Sequence, residues 1–326
     1  MKHAPLNILL IINPISGTNS KRELAGAIEK RVRSMGHTIT TSLTTGPGDA
    51  TRLAKKAVDG GFDAVLACGG DGTVNEIATA LIGTDVALGI LPNGSGNGLA
   101  RHIDIPTDPI LALKIIKNGK TTDCDYCTVN EIPFFCTFGL GFDAAVSHRF
   151  ASGRKRGLLA YLKSALNEFI SFTPESYRIT ISNDSINVDA FLIACCNASQ
   201  YGNNAFIAPT ASITDGLIDI TIVHSGNALS EVFVGVEMLA GSITKGGLID
   251  TFRTDRLDIT RNQAGIAHID GEPVELPDRL TIKCHHKGLK IFAPTKRSRF
   301  RPLFTPAMMF ARDCYIRVSN LFSRPI

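Results

Sequence analysis

The chain has 326 residues, 44% of them hydrophobic, and a formal net charge of only +4. This length exceeds one typical domain and suits two, and the balanced charge argues against a nucleic-acid binder. Eight cysteines without a disulfide framework predict reduced thiols and a cytoplasmic protein. No apolar run reaches the roughly 20 residues that a membrane-spanning helix needs.

The first part of the chain alternates apolar, strand-like runs with helical patterns. Strands are predicted at 6–12, 37–44, 62–68 and 86–91, and helices at about 21–35, 50–58 and 77–81. Such an alternation implies a parallel sheet with right-handed crossovers. The sequence therefore predicts a parallel α/β lobe at the start of the chain.

A glycine-rich turn, Gly69-Gly70-Asp71-Gly72-Thr73-Val74-Asn75-Glu76, follows the buried strand at 62–68. Glycine allows positive φ and close approach of a ligand to the backbone, and the first N–H groups of the following helix point at an anion. The turn therefore suits a phosphate. Asp71 would repel that phosphate directly, so we interpret it as a magnesium ligand or a polar positioning group. An ordinary tight turn between strand and helix is the alternative.

Two more polar loops, 13–17 and 92–98, follow other strands of the same predicted sheet. Open α/β sheets bind ligands at the carboxyl ends of their strands. Because the chain lacks the lysine-bearing G-x-x-x-x-G-K-[ST] loop, three such loops predict a nucleotide whose phosphates are held by backbone N–H groups. Arg101, just after the third loop, is interpreted either as a phosphate ligand or as a solvated, surface-pairing residue.

The second part of the chain is predicted to be rich in antiparallel strands. Strands are expected at 121–130, 177–181, 188–196, 217–223, 257–260, 264–269, 280–283 and 289–292, and helices at 158–169 and 229–240. Period-two alternation with turn residues between the strands indicates a β-sandwich or barrel. We therefore place a domain boundary near residue 128, between residues 1–127 and 128–295.

Two acidic turns in this second part could carry chemistry. Asp270-Gly271-Glu272-Pro273 closes a predicted strand with two carboxylates, and a carboxylate that faces a cleft can accept a proton from an alcohol. The alternative is an exposed hairpin turn. Asp215 is either a turn residue or a cation ligand together with nearby carbonyl groups.

The end of the chain is basic and amphipathic. From residue 296 onward a single acid, Asp313, stands against Lys296, Arg297, Arg299, Arg301, Arg312, Arg317 and Arg324. Helical spacing over 305–322 places on one face Met308, Ala311, Tyr315, Val318 and Phe322. This helix either packs on the body of the protein or lies on an anionic membrane surface.

Four motifs, in this order, resemble the diacylglycerol kinase catalytic family of soluble bacterial lipid kinases, to which sphingosine and ceramide kinases are related. They are Asn13-Pro14-x-Ser16-Gly17, Gly69-Gly70-Asp71-Gly72-Thr73-x-Asn75-Glu76, Pro92-x-Gly94-Ser95-x-Asn97 and Asp270-Gly271-Glu272-Pro273. The resemblance covers about residues 6–295, although the second motif alone is shared with NAD kinases. It implies a Rossmann-like nucleotide-binding α/β lobe, a β-sandwich lobe that contributes the lipid acceptor site, and a chain end, 296–326, that returns to the first lobe.

The resemblance also implies ATP and Mg²⁺ as cofactors and assigns roles to individual residues. Glu272 is the implied general base on the lipid hydroxyl, and Asp71 either positions Mg-ATP or takes the base role itself. Contacts to ATP are implied for Asn13, Pro14, Ile15, Ser16, Gly17, Thr44, Gly70, Asp71, Gly72, Thr73, Val74, Asn75, Glu76 and Ser95. A structural magnesium is implied near Ser212, Asp215 and Leu217, and acidic positions near the acceptor match Asp125 and Asp143.

One loop departs from the bacterial diacylglycerol kinase pattern, which usually has Gly-Thr-x-Asn-Asp. Here the loop is Gly94-Ser95-Gly96-Asn97-Gly98, so Gly98 removes a carboxylate. The Gly-Ser-Gly-Asn form is closer to sphingosine and ceramide kinases. This departure affects the identity of the substrate more than the type of reaction.

We therefore expect an ATP- and magnesium-dependent kinase that phosphorylates a membrane-lipid alcohol. Diacylglycerol, which would give phosphatidic acid for phospholipid biosynthesis, is the first candidate, and a sphingoid base or ceramide is the second. An NAD kinase and a catalytically silent nucleotide- and lipid-binding regulator are the further alternatives. We expect peripheral association with an anionic membrane and no nucleic-acid partner, and the oligomeric state stays open, a homodimer included.

Overall fold

The computed structural model describes residues 4–17, 21–117, 120–152, 172–243, 246–294 and 300–311. The predicted helix at 158–169 and the distal part of the predicted C-terminal helix lie outside these ranges. The described strands form one continuous sheet, parallel at one end and antiparallel at the other. The predicted combination of a parallel α/β lobe and an antiparallel β lobe is confirmed.

Four parallel strands in the spatial order β4-β3-β1-β2 form the first lobe. They are β1 (Asn7–Ile12), β2 (Thr38–Leu43), β3 (Ala64–Gly69) and β4 (Ala87–Pro92). The strands β3 and β4 are buried along their whole length, as unbroken apolar runs in a parallel sheet predict. The helices of this lobe are α1 (Lys21–Ser34), α2 (Asp49–Asp59), α3 (Asp71–Leu81), α4 (Gly98–His102) and α5 (Pro109–Ile116).

The remaining strands form the antiparallel part of the sheet. They are β5 (Thr121–Val129), β6 (Ile132–Phe134), β7 (Thr137–Gly141), β8 (Glu175–Ile181), β9 (Asp184–Cys196), β10 (Ile218–His224), β11 (Ile249–Thr254), β12 (Arg256–Arg261), β13 (Gly265–Ile269), β14 (Glu272–Leu276) and β15 (Arg279–Phe292). Among the described residues, the helices that pack with these strands include α6 (Phe142–Ser152) and α7 (Ala228–Ala240). The hairpin β13–β14 turns at Asp270 and Gly271, both of which have positive φ.

Two long strands connect the lobes. The strand β15 pairs with β5 along most of its length, and its end also pairs in parallel with β4. The sequence predicted two separate strands at 280–283 and 289–292, which the structure joins into one strand with an irregularity between His285 and Leu289. Lys287 has φ 57° there, and a Cβ on Gly288 would lie 2.3 Å from the ring of Tyr126. The boundary near residue 128 falls within β5 and stays a prediction.

The segment 300–311 packs at the junction between the lobes. Leu303 N donates to Ala240 O at the end of α7, at 2.8 Å. Phe300 and Met309 line a cavity of about 130 Å³ together with Arg101 of α4. The segment therefore contacts α7 and faces the first lobe across that cavity, and the assignment of the whole chain end to the first lobe stays a prediction.

Candidate active site

The three polar loops predicted from the sequence meet at the carboxyl ends of β1, β3 and β4. Asn13 Nδ2 donates to Thr73 Oγ1 at 3.1 Å, which ties the first loop to the start of α3. Asn93 Nδ2 donates to Ser16 O at 3.1 Å, which ties the first loop to the third. Side-chain amides therefore hold the three loops together from within.

Glycine is required where the second and third loops touch. A Cβ on Gly94 would lie 2.5 Å from the Cα of Gly70, so the two backbones approach more closely than any side chain permits. Gly70 precedes α3, and among the described residues no side chain caps the N-terminus of this helix. An uncapped helix start beside bare glycine backbone fits a phosphate group, because its first N–H groups need an anionic acceptor.

Asp71 lies at the start of α3, and its carboxylate faces the third loop. Its Oδ2 accepts from Asn97 N at 2.8 Å and its Oδ1 accepts from Gly98 N at 2.7 Å. Burial raises the pKa of Asp71 to about 6, although these two N–H donors oppose that shift. Asp71 therefore fixes the third loop, and any metal ion that it helps to hold must share a carboxylate that already has two protein partners.

Gly98 is the position at which the third loop departs from the usual bacterial diacylglycerol kinase pattern, and its surroundings explain the glycine. A Cβ at this position would lie 3.0 Å from Cys136 Sγ and 3.2 Å from Gln200 O. A carboxylate added there would also be buried next to Asp71, which already receives the N–H of Gly98. Close packing around Gly98 therefore leaves no room for a carboxylate side chain at this position.

We expect Gly98→Asp to lower the free energy of unfolding by about 1–3 kcal/mol, because it overpacks a buried site and adds a like charge there. Urea denaturation of the purified variant measures this change. The control is Gly26→Ala on α1, where an added Cβ meets nothing within 4 Å and should raise stability by about 0.5–1 kcal/mol. A Gly98→Asp variant as stable as the parent would contradict the packing argument.

Asp270 connects the acidic turn of the second lobe to the first lobe. Its Oδ2 accepts from Asn75 Nδ2 at 2.8 Å, and both carboxylate oxygens accept backbone N–H groups. The three N–H donors belong to Phe135, Cys136 and Thr137, at 2.7–3.0 Å. Burial nevertheless raises the pKa of Asp270. This carboxylate is a structural anchor across the cleft, a role that the sequence analysis did not assign to it.

Glu272 follows this anchor and reaches the phosphate turn. A Cβ on Gly72 would lie 3.6 Å from Glu272 Oε1, so the carboxylate lies directly against the first turn of α3. The side chain of Glu272 is exposed, unlike that of Asp270, and it is therefore open to a substrate. The two candidate catalytic carboxylates, Asp71 and Glu272, thus lie at the start of the same helix.

Several residues with predicted ATP contacts hold the loops in place. Asn75 donates to Asp270, as described above. Glu76 Oε1 accepts from Gly48 N at 3.0 Å and its Oε2 accepts from Ala50 N at 3.1 Å, so its carboxylate caps the start of α2. Thr44 is buried, whereas Ile15 and Ser95 are exposed at the loop surfaces. The nucleotide contacts themselves stay predictions for the whole set of residues.

Arg101 does not have the surface role that the sequence suggested for it, and its role as a phosphate ligand stays a prediction. Its side chain is 4% exposed, so it is not a solvated surface residue. Its Nε donates to Gly96 O at 2.9 Å and its Nη1 donates to Asn204 Oδ1 at 3.3 Å. Arg101 therefore braces the third loop from behind, a role that depends on a partner far away in sequence.

A cluster of three hydrogen-bonded polar residues, Asp143, Tyr201 and His268, lies beneath the acidic turn at 270–273. Asp143 Oδ2 accepts from Tyr201 Oη at 2.6 Å and lies 3.1 Å from His268 Nε2. Gly271 N donates to His268 Nδ1 at 3.4 Å, which leaves the histidine proton on Nε2, facing Asp143. Asp143 is 5% exposed. Asp143 therefore supports the turn from below, and its predicted position near the acceptor stays a prediction.

Asp125 is fully buried and binds the irregular part of β15. Its Oδ1 accepts from His286 Nδ1 and from Lys287 N, both at 2.8 Å. Its Oδ2 accepts from Gly216 N at 2.7 Å. Asp125 therefore joins β15 to the predicted magnesium loop, and its role near the acceptor stays a prediction.

The loop around Asp215 offers oxygen donors for a cation. Within the described ranges no three His, Cys, Asp or Glu side chains cluster as a side-chain metal site would need. Asp219 Oδ2 is buried without a hydrogen-bond partner among the described residues, and burial raises the pKa of this carboxyl. Arg253 Nε donates to Asp219 Oδ1 at 2.8 Å, and Arg253 Nη1 lies 4.0 Å from Asp215 Oδ2. The oxygen donors fit a hard divalent cation, which would share them with Arg253.

Two family models match this chain. The diacylglycerol kinase catalytic domain matches residues 7–129. The YegS C-terminal NAD kinase beta sandwich-like domain matches residues 137–293. Together the two matches cover both lobes that the structure shows.

Similar proteins carry related names. A protein of Chromohalobacter salexigens described as a probable lipid kinase, YegS-like, is 32% identical over 74% of this chain and 80% of its own length. The diacylglycerol kinase of Mycobacterium tuberculosis (strain H37Rv) is 32% identical over 69% of this chain and 75% of its own. That of Bacillus subtilis (strain 168) is 29% identical over 81% and 88%.

Solved structures share the fold. A crystal structure of a diacylglycerol kinase from Bacillus anthracis str. Sterne superposes with a TM-score of 0.71 at 18% sequence identity. The superposition covers 89% of this chain and 97% of that one.

Proposed function

Because this chain belongs to the diacylglycerol kinase catalytic family of lipid kinases, we propose that it transfers the γ-phosphate of ATP to a membrane-lipid hydroxyl, with diacylglycerol as the first candidate. The family makes it a phosphotransferase with an alcohol group as acceptor. The observation that carries the proposal is the position of Glu272 against Gly72 at the start of α3. A proton acceptor there stands next to the N–H groups that suit a phosphate.

Each part of the site has a task in this reaction. The uncapped start of α3 and the bare backbone of Gly70 and Gly94 hold the phosphates, which places charge stabilisation where the transferred group passes. Glu272 accepts the proton of the lipid hydroxyl as its oxygen attacks the γ-phosphorus, the bond to the β,γ-bridging oxygen breaks, and ADP leaves. Asp71 keeps the third loop closed over the phosphates through the N–H groups of Asn97 and Gly98.

Magnesium would be held at two places. Asp71 would contact the ion near the phosphates, and Asp215 with backbone oxygens of Ser212 and Leu217 would hold a structural ion beside Asp219. When bound near ATP, the ion supplies positive charge that offsets the negative phosphates. The other tasks, which are holding the phosphates, accepting the proton and closing the third loop, belong to residues of this chain.

A cavity in the second lobe supports a lipid acceptor. It has a volume of about 460 Å³ and is lined by Gly141, Ala145, His148, Arg149, Phe172, Glu175 and Ile266. Apolar and charged side chains share this lining, as an acceptor with both an acyl chain and a polar head requires. The Gly94-Ser95-Gly96-Asn97 loop favours a sphingoid base or ceramide as the second candidate acceptor.

The test is an assay with purified protein, Mg²⁺, γ-labelled ATP and separately dispersed diacylglycerol, ceramide and sphingosine, with NAD as a further acceptor. We expect label in phosphatidic acid. Label in a sphingolipid product would move the assignment to the second candidate. Label in NADP would replace lipid phosphorylation with NAD phosphorylation. Retained ATP binding without any labelled product would identify a catalytically silent regulator.

A further inference from the structure

An exposed apolar surface lies far from the glycine loops in the sequence. Phe233, Val236 and Leu239 of α7 are exposed, as are Leu303, Phe304, Met308 and Phe310 of the C-terminal segment. We call these seven side chains the apolar face. Among the described residues they account for seven of the twelve large hydrophobic side chains that are exposed, so the exposure is concentrated rather than scattered.

The two contributors to the apolar face are packed together. A Cβ on Gly241, just after α7, would lie 2.8 Å from the ring of Phe300 and 2.9 Å from Pro306. Leu303 N donates to Ala240 O at 2.8 Å, and the ring of Phe300 lies 5.0 Å from that of Phe206. One continuous support therefore carries both halves of the face.

Each half is the outer side of a segment whose inner side is buried. Val234 and Met309 are each 6% exposed and face the protein, whereas Phe304 is 70% exposed and Met308 is 71% exposed. Residues 304–311 are helical, and their exposed arc also includes Ala307 and Ala311. The segment is thus anchored on one side and apolar on the other, a pattern typical of a helix that lies in a membrane interface.

We propose that the apolar face docks on an anionic lipid bilayer, a proposal that rests on the lipid kinase function proposed above. Arg301 is exposed beside the face, and the chain carries Lys296, Arg297 and Arg299 just before it and Arg312 just after it. These cations suit anionic lipid heads. Glu231 and Glu237 on α7 are half-buried, and Glu231 Oε1 accepts from Gly226 N at 3.2 Å.

The face also connects to the proposed acceptor cavity through one apolar cluster. Val234, under the α7 half of the face, belongs to the same cluster as Phe191. The ring of Phe191 lies 5.4 Å from that of Phe172, which lines the 460 Å³ cavity. The support under the α7 half of the face is therefore continuous with the wall of the cavity. No helix among the described residues is long and apolar enough to span a bilayer.

The test compares two doubly substituted proteins with the parent chain. Phe304→Asp with Met308→Asp removes the C-terminal half of the face, and Phe233→Asp with Leu239→Asp removes the α7 half. We expect each pair to weaken binding to phosphatidylcholine–phosphatidylglycerol vesicles by about tenfold or more, because each lost side chain forfeits apolar burial. Ile186→Asp, an exposed apolar residue on β9, is the matched control and should bind vesicles as the parent does. Co-sedimentation measures the affinity, and thermal unfolding checks the fold.

Turnover of detergent-dispersed lipid separates this inference from the proposed function. All variants should keep that turnover, because their substitutions lie outside the loops and the acidic turn. A parent protein that phosphorylates dispersed lipid but does not bind vesicles would overturn the inference alone. Unchanged vesicle binding by both pairs would also overturn it. Loss of self-association in the variants, measured by light scattering without a change in vesicle affinity, would identify a second copy of the chain as the occupant of the face.

Discussion

Glu272→Gln is expected to lower kcat for lipid phosphorylation by about 100-fold or more, because it removes the proton acceptor while keeping the shape of the side chain. The carboxylate is exposed and lies 3.6 Å from the position of a Cβ on Gly72. Stability should change by less than about 0.5 kcal/mol, as for other surface substitutions. Steady-state kinetics with dispersed lipid, together with ATP binding by calorimetry, measures the two effects separately.

The control is Glu275→Gln on the same strand. Glu275 is also exposed, but it lies three residues further along β14, on the opposite face of the strand. This variant should keep the parent kcat. Equal losses in both variants would mean that charge on the strand matters, rather than a proton acceptor at one position.

Asp71 is the rival base, and its pKa provides the test between the two. Burial raises that pKa to about 6, so the carboxylate is mostly protonated below pH 6 and cannot accept a proton there. If Glu272→Gln kept the parent kcat, and if that kcat fell as the pH was lowered through about 6, Asp71 would be the base. The hydrogen bonds from Asn97 and Gly98 favour Glu272 as the base, because they orient the Asp71 carboxylate toward the third loop.

The parts of the site that the sequence predicted well are local ones. The glycine-rich stretch at 69–76 follows a buried strand and leads into a helix in both sequence and structure, although the helix begins at Asp71 and not near residue 77. Each loop combines glycine with asparagine over a few residues, and such patterns reflect backbone geometry that neighbouring residues determine. The lobes were predictable for the same reason, because hydrophobic periodicity depends on adjacent residues.

The parts that the sequence missed depend on distant partners. Asp270 binds Asn75, which lies 195 positions away, and Arg101 binds Asn204, which lies 103 positions away. Neither pair has a spacing that a sequence pattern could show. Burial changes the roles of Asp270 and Arg101, because a charged group that is removed from water must find protein partners. The interpretation of Arg101 as a solvated surface residue was therefore wrong.

The apolar face illustrates the same limit. The pattern at 305–322 already placed Met308 and Ala311 on one helical face, and the structure shows both exposed. The half on α7 was not predicted, because Phe233, Val236 and Leu239 belong to a mostly apolar helix whose sequence suggests burial on all sides. Only the packing of 300–311 against the end of α7 brings the two halves together.

Asp270→Asn is expected to lower the free energy of unfolding by about 2–4 kcal/mol, because an amide cannot accept all the donors that the carboxylate receives. Four N–H groups point at Asp270, three from the backbone at 135–137 and one from Asn75. The amide nitrogen would face some of these donors. We also expect kcat to fall, because Asp270 holds the turn that carries Glu272. Urea denaturation and lipid turnover measure the two losses.

The control is Asp184→Asn, an exposed aspartate at the start of β9, which should change neither quantity. A double-mutant cycle with Asn75→Ala then tests whether Asp270 acts across the cleft. If the bond between Asp270 and Asn75 aligns Glu272 with α3, the two substitutions should be non-additive in stability by about 1 kcal/mol or more. Their effects on kcat should also overlap, because either change alone already frees the turn from α3. Full additivity in both quantities would restrict Asp270 to its three backbone bonds within the second lobe.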